Sequence, residues 1–409
     1  MSKTILCPYC SRTFQNSDAV YQCTNKELRS SGDEVCPSVP DQKLSDFWME
    51  EGVPYKRFYR KPVFGLFGST ARAATCPNCG QASRRLCCPH CHNALPPEMV
   101  EEGSEIISII GDRSSGKTVY FVSLIHQLRD EGYKLDIVDV NPQDISHDEK
   151  SRTSTIYEKM ASDMFDNGVL PKQTRAVRPA PMIFRISTKK KGKKGGRDIY
   201  LVFYDTAGEI FRDVNRMEEV ANYLMDSAGV ILLVDPYTMP ALRKTLVEAK
   251  ILEEDYVKAN PVVVFDKVRE MLSRSGRKNL LNKPIAITFS KIDAVVHALE
   301  DTGSSYQVSG VDLEHDSSFK RTKVLNLSEI DQISEQLQSV AEQRWGAGQL
   351  NAAAVANFGA ENVRLFAVSA LGCTPTSDGS LPELQPYRVM DPLVWILHKM
   401  GGFNIPVKQ

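Results

Sequence analysis

Read for the order of apolar and polar positions, the chain divides into two unlike parts. Beyond residue 105 short, nearly unbroken apolar runs recur at 105–110, 198–204, Gly229–Val234, 284–289 and 363–368. Continuous apolarity over about six residues, without alternation, is the pattern of parallel strands buried on both faces. Met182–Thr188 adds a further strand, joined to 198–204 by KKKGKKGGR (189–197), which reads as a solvated hairpin tip rather than an anion patch. Helical spacing appears at 119–128, at 327–344, where Ile330, Ile333, Leu337 and Val340 share a face, and at 392–400, where Leu393, Trp395, Ile396 and Leu397 turn to the core. Such alternation predicts an α/β fold: a mostly parallel sheet with one antiparallel edge hairpin and helices on both faces. Insertions near 134–170 and 296–361 interrupt the rhythm, and the 327–344 helix reads as laid on the edge of the sheet.

The first 98 residues lack these runs and carry cysteine instead. Nine of the ten cysteines precede Met99. In a reducing compartment, tight Cys-x-x-Cys turns gather thiolates for a tetrahedral ion, and zinc is the expected occupant. Cys76-Pro77-Asn78-Cys79 and Cys88-Pro89-His90-Cys91 read as one zinc-ribbon site, with Cys87 left over and His90 and His92 weaker donors than Cys88 and Cys91. Cys7 and Cys10, with the more distant Cys23 and Cys36, read as a second four-cysteine site, so one or two Zn²⁺ ions are expected. The linker Ala94-Leu95-Pro96-Pro97-Glu98 then places the boundary between a zinc-binding region, 1–98, and a second domain, 99–409.

The first apolar run of that domain leads directly into GDRSSGKT: Gly111, Asp112, Arg113, Ser114, Ser115, Gly116, Lys117 and Thr118. Strand, glycine-bearing loop and helix form a phosphate cradle, in which backbone N–H groups wrap the β-phosphate and the helix N-terminus adds its positive end. Lys117 is then placed for the β- and γ-phosphates and Thr118 for Mg²⁺. The 198–204 run ends in Asp205-Thr206-Ala207-Gly208, with Asp205 on the Mg²⁺ side and Gly208 offering an N–H to the γ-phosphate. After 284–289 come Ser290, Lys291 and Asp293. A carboxylate there accepts both donors of a guanine edge, while adenine leaves it unpaired. Lys291 can lie over the base plane. Ser369, Ala370 and Leu371 follow the last run, where a backbone N–H can meet the guanine carbonyl.

Taken together, GDRSSGKT, DTAG, SKID and SAL resemble the successive nucleotide motifs of Ras-like P-loop GTPases of the translation-factor-related class. With the cysteine region and Asp391-Pro392-Leu393-Val394-Trp395, the chain most resembles bacterial zinc-ribbon double-GTPase proteins of conflict and defence systems. The resemblance, over about 104–402, implies GTP/GDP and Mg²⁺ as ligands, Lys117, Thr174, Gly208 and Glu209 as reaction-site residues, and Thr118, Thr174 and Asp205 around the Mg²⁺. Thr174 is chosen for its place ahead of Met182, with Thr153 and Thr155 as rivals; Arg175 and Arg178 read as solvated. Glu209 stands where such enzymes carry glutamine. An ionised Glu only accepts hydrogen bonds and adds negative charge beside the γ-phosphate, so turnover is expected to be slow unless a partner or Arg212 corrects the site. Arg113 replaces a usual glycine.

Fifty Lys and Arg against 51 Asp and Glu leave no global field for nucleic acid or anionic membrane. The stretch 54–61 interleaves basic and aromatic residues, but hairpin packing is favoured over nucleic-acid stacking. No run approaches the ~20 apolar residues of a membrane span, nor does the start resemble a secretory signal; a cytoplasmic protein is expected. The leading expectation is a nucleotide-dependent switch whose zinc region docks effector or activating proteins. Its alternatives are a GTP-bound scaffold without hydrolysis and a nucleic-acid-binding zinc protein under GTPase control.

Overall fold

The computed structural model describes residues 3–60, 73–103, 105–111, 115–145, 152–171, 180–188, 197–203, 214–253, 260–274, 281–313, 315–322, 324–376, 378–401 and 407–408. They fall into two compact units, Met1–Glu105 with Gln143–Arg152, and Ile106–Pro142 with Thr153–Gln409. The division thus lies at Glu105 rather than at 98, and Gln143–Arg152, read from sequence as part of an insertion in the second domain, groups with the first.

The larger unit is built on a seven-stranded sheet. Its strands are β1 (Ile106–Gly111), β2 (Ile137–Pro142), β3 (Met182–Thr188), β4 (Arg197–Phe203), β5 (Gly229–Val234), β6 (Ile285–Phe289) and β7 (Val363–Ala367), in the order β2-β3-β4-β1-β5-β6-β7. β4, β1, β5, β6 and β7 are parallel, while β3 runs antiparallel to both β2 and β4. The sheet is therefore mostly parallel with an antiparallel flank. The expected edge hairpin is β3–β4, in register from Met182 against Phe203 to Thr188 against Arg197. It is not the outermost pair, because β2, drawn from the first insertion, adds a further strand. All of β1 and β5 is buried, as continuous apolar runs require of central parallel strands.

Helices α1 (Lys117–Glu131), α2 (Thr153–Ala161) and α3 (Val214–Asp226) precede β5, and α4 (Pro240–Glu248) and α5 (Val262–Arg274) follow it. Phe121 of α1 stacks on Phe203 at 4.6 Å and meets Phe184 edge-on, and Tyr157 of α2 packs on the same Phe184. After β6 come α6 (Ile292–Asp301), α7 (Leu327–Val340) and α8 (Gly348–Phe358), and α9 (Asp391–Met400) closes the unit. The predicted 327–344 helix is α7 plus a wider turn, Ala341–Trp345. It covers the β7 edge: Ser334 Oγ accepts the Leu365 amide at 2.9 Å, and Asp331 holds Arg364. An otherwise open strand edge is thereby satisfied. In α9, Leu393, Val394, Trp395, Ile396 and Leu397 are buried, and a Cβ at Gly229 would stand 2.5 Å from Ile396 Cγ2, so only glycine lets this helix approach β5 so closely.

The smaller unit has little regular structure. Its strands are two or three residues long: Thr4–Leu6 pairs with Thr13–Gln15, Ala74–Thr75 with Ala82–Ser83, and Val20–Gln22 with both Phe58–Tyr59 and Leu86–Cys87. A seven-residue helix, Gln42–Trp48, is capped by Asp41, which accepts the Leu44 amide at 2.9 Å. The basic aromatic stretch is occupied internally. Tyr59 is buried and donates to the Ala74 carbonyl, Phe58 stacks on His92, and Lys56 binds Glu34 and the Cys36 carbonyl. No helix among the described residues is long and apolar enough to cross a membrane.

Candidate functional site

All five parallel strands end on one edge of the sheet, and the chain order reverses on either side of β1, which is where open α/β sheets hold ligands. Gly111 ends β1 beside Leu233 of β5. A Cβ there would sit 2.6 Å from the Leu233 carbonyl and 2.7 Å from Ser115 Oγ, so the turn into the loop demands glycine. The loop returns through buried Ser115 to Gly116, whose φ of 70° lies in the left-handed region, and α1 starts at Lys117. Its first amides are thereby left at the strand edge, as phosphate binding requires. Lys117 is buried and Thr118 half-buried. Asp112, Arg113 and Ser114 lie outside the described residues.

The second component comes from β6. Ser290 Oγ donates to the Ser115 carbonyl at 2.8 Å, which braces the end of the glycine-bearing loop. Lys291 has a φ of 53° and directs its ammonium to Asp235 Oδ2 at 3.0 Å. Asp235 stands immediately after β5 and belongs to none of the sequence motifs. Its apolar context gave no signal of a role. Asp293, in the first turn of α6, accepts the Ser369 hydroxyl at 2.6 Å. Burial pushes the Asp293 carboxyl up, opposed by that hydrogen bond. Tyr237 stands in the field of both carboxylates, and its phenol, chiefly through burial, is pushed up to about 12.

The third component follows β7. Ser369 is fully buried and exchanges two backbone hydrogen bonds with Tyr387, while its Oγ accepts the Gly372 amide at 2.7 Å. The Ala370 carbonyl accepts Ser123 Oγ from α1 at 2.6 Å, and the Leu371 carbonyl accepts the Gln385 amide. Gly111, Ser115, Gly116, Lys117, Thr118, Ser290, Lys291, Asp293, Ser369, Ala370 and Leu371 thus lie at the carboxyl ends of neighbouring strands. Thr174, Asp205, Gly208 and Glu209 lie outside the described residues, as do Arg175, Arg178 and Arg212. Of the rival threonines, Thr153 is buried and Thr155 exposed, both on α2.

In the smaller unit, eight cysteines gather in two groups of four, each with its sulfurs within 4.8 Å of one another. The grouping corrects the sequential reading. Cys7 and Cys10 join Cys88 and Cys91, while Cys23 and Cys36 join Cys76 and Cys79. One set is nested inside the other along the chain. The closest sulfur pairs lie 3.8 Å apart in the outer group, and 3.6 and 4.0 Å in the inner. Sulfurs about 2.3 Å from a tetrahedral ion are about 3.8 Å apart, so both groups fit zinc.

Three knuckles share one geometry: Cys7, Cys76 and Cys88 each donate their amide five residues on and accept one from four residues on. The residue closing each turn, Ser11, Gly80 or His92, has positive φ. Amides of Tyr9, Asn25 and His90 point to Cys7, Cys23 and Cys88 sulfurs, which favours thiolates. Burial pushes the Cys23 thiol up to about 12 and Cys7 well up, so gathering them as thiolates calls for a cation. Cys87 lies outside both groups and packs with Val20 and Ala94, while His92 pairs with Asp41 and His90 with the Thr13 carbonyl.

A Mycolicibacterium smegmatis protein provisionally named as the ESX-1 scaffolding and assembly protein SaeC is 26% identical over 332 residues, covering 77% of this chain and 80% of that one. Among solved structures, the GTP-bound GTPase-like domain of S. cerevisiae Ski7 is 11% identical with a TM-score of 0.30, over 73% of this chain and 50% of that one. This chain therefore spans half the length of that structure's chain. The signal recognition particle receptor SRb-GTP/SRX complex of Chaetomium thermophilum is 10% identical with a TM-score of 0.26, over 67% of this chain and 94% of that one. The family described as Double-GTPase 2 matches residues 105–346, more than half of the chain and the part that carries the strand-edge site, so this chain belongs to the double-GTPase 2 family.

Proposed function

We propose that this chain binds GTP with Mg²⁺, hydrolyses it slowly, and acts as a nucleotide-dependent switch whose cysteine-rich unit holds two Zn²⁺ ions and docks partner proteins. The observation that carries the reading is Asp293, a half-buried carboxylate held at 2.6 Å by Ser369 on the strand edge that also bears the glycine-rich loop. A carboxylate fixed in this way accepts the paired donors of guanine and pays a desolvation penalty with adenine, which offers none in that arrangement. Lys117 meets the triphosphate. Thr118, with Thr174 and Asp205, would hold Mg²⁺, which supplies charge neutralisation between the phosphates. Gly208 would sense the γ-phosphate, and Glu209 in place of glutamine underlies the slow turnover. All four donors of each zinc group are protein sulfurs, which suits structural rather than catalytic metal. Thiolate ligation also favours a reducing compartment such as the cytoplasm.

Titration with fluorescent GTP and ATP analogues in Mg²⁺, followed by phosphate release under multiple turnover, tests the reading. GTP binding should be lost on Lys117→Ala and on Asp293→Ala. Equal or tighter ATP binding by the unmodified protein sinks the guanine assignment. A second reading, a GTP-bound scaffold without useful hydrolysis, is favoured by Glu209 and by the scaffolding name of the M. smegmatis relative. Absence of phosphate release with tight GTP binding, alone and with candidate partners, selects it.

A further inference from the structure

We infer that Asp235 is a positioning residue of the nucleotide site, acting through Lys291 to hold that side chain as the platform for the base. The inference rests on the GTP reading above and goes beyond it in assigning what fixes the platform. Asp235 stands one residue past β5, and its side chain is 2% exposed. A carboxylate so withdrawn from water needs a fixed positive partner and hydrogen-bond donors. The Lys291 ammonium lies 3.0 Å from Oδ2, and the Tyr237 amide donates to Oδ1 at 3.0 Å. The backbone that carries it is also held: the Thr238 amide and hydroxyl both donate to the Asp235 main-chain carbonyl, closing a short helical turn.

Lys291, by contrast, is tethered at both ends of a four-carbon stem. Its backbone occupies the left-handed region, which a side chain with a Cβ adopts at some cost, and its ammonium is drawn across to β5. Between the two ends the stem passes Gly116. A Cβ on that glycine would lie 3.7 Å from Lys291 Cε and 4.0 Å from Cγ. The stem therefore runs beside Gly116, at the start of α1. A free lysine stem samples many rotamers, and ordering it costs conformational entropy. The ion pair meets that cost before any ligand arrives. The base then docks on a preformed apolar strip instead of ordering one.

The test compares base-dependent with base-independent affinity. Full-length protein and its Asp235→Asn, Lys291→Met and double variants are titrated with GTP, ITP and ribose 5′-triphosphate, which lacks a base, and their thermal midpoints are recorded. The affinity ratio of GTP to ribose 5′-triphosphate should fall about tenfold in each single variant, the scale of one lost charge-assisted contact. The ratio for ITP should fall by the same factor, since a platform does not read the 2-amino group. In the double variant the loss should equal that of one single variant. An unchanged ratio in Asp235→Asn, additive losses in the double variant, or equal weakening of ribose 5′-triphosphate and GTP overturns the inference. If Asp235→Asn does not fold, Lys291→Met decides, because it keeps the stem and removes only the tether: an unchanged ratio overturns and a reduced ratio supports. Failure of the unmodified protein to bind GTP is a different outcome, which overturns the proposed function itself.

Discussion

The two units show two ways of making a chain hold its shape. The larger one buries a seven-stranded sheet between helices, and its core includes Phe121, Phe184, Phe203, Ile231, Ala286 and Trp395. The smaller one has strands of two or three residues, and one of its buried clusters amounts to Val20, Cys87 and Ala94 with Phe58 and Ile145 packed against it. Ladders that short bury too little apolar surface to offset chain entropy. Two groups of four cysteines stand in place of the missing core. The difference is one of mechanism, since removing apolar contact weakens the larger unit gradually, while a smaller unit held by metal ligation would lose its cross-links at once when the ion left.

The largest expected effect follows from that contrast. Chelation, or Cys76→Ser, should unfold the cysteine-rich unit, as structural zinc contributes about 10–16 kcal/mol of binding free energy in comparable small sites. Limited proteolysis with metal analysis should show cleavage within 1–98 while the larger unit stays protected; resistance of the apo-protein would break the comparison. The nesting adds a coupling. Cys10 and Cys88 are 78 residues apart. Closing the inner group first shortens that path to about 22 residues, which by loop-closure scaling should tighten the outer group about sevenfold. Metal titration of an inner-group variant such as Cys36→Ser should show this weakening at the outer group.

Next in size is Phe121→Ala, which removes a ring stacked on Phe203 and should cost about 3–5 kcal/mol in denaturant unfolding of the larger unit, with zinc content unchanged. Gly111→Ala should cost about 1–3 kcal/mol from its clash with the Leu233 carbonyl and should remove nucleotide binding, measured by the same titration as above.

The smallest effect concerns pH. Asp391 is buried beside Arg388 and Ser317, with Asp316 and Glu329 also bearing on it, and burial pushes its carboxyl up to about 7. The folded state therefore keeps this proton to higher pH than the unfolded chain does. The stabilisation it brings is complete below about pH 4 and is lost as pH rises toward 7. Asp391→Asn should flatten that slope in urea unfolding of the larger unit. The cysteine groups should respond in the opposite sense, because acid protonates thiolates and releases the ion.

Much of the larger unit was legible because its signals are local. Six of the seven strands announce themselves as short apolar runs, and α9 shows its buried face by spacing alone. β2 did not, since only Ile137 and Val140 are buried, set among exposed Val138 and half-buried Asp139, Asn141 and Pro142, and the stretch read as insertion. The strand-edge site was legible as motifs, each attached to a strand end whose direction the α/β pattern implies. Asp235 escaped notice because a lone acid after an apolar run is a common strand end, and its value lies in a partner 56 residues away.

What the sequence by itself determined is the inventory: which segments become strands, where the glycine-bearing loop and the Asp293 carboxylate fall along the chain, and which cysteines are available as ligands. These depend on periodicity and spacing within a dozen residues, and short-range sterics and hydrogen bonding suffice to read them. The tertiary structure alone decided which cysteines share an ion, that Gln143–Arg152 groups with the cysteine-rich unit, that Ser369 holds Asp293, and that Lys291 is drawn to Asp235. In each of these, several chemically equivalent partners were available along the chain. Only the tertiary closure of long loops brings one of them within bonding distance.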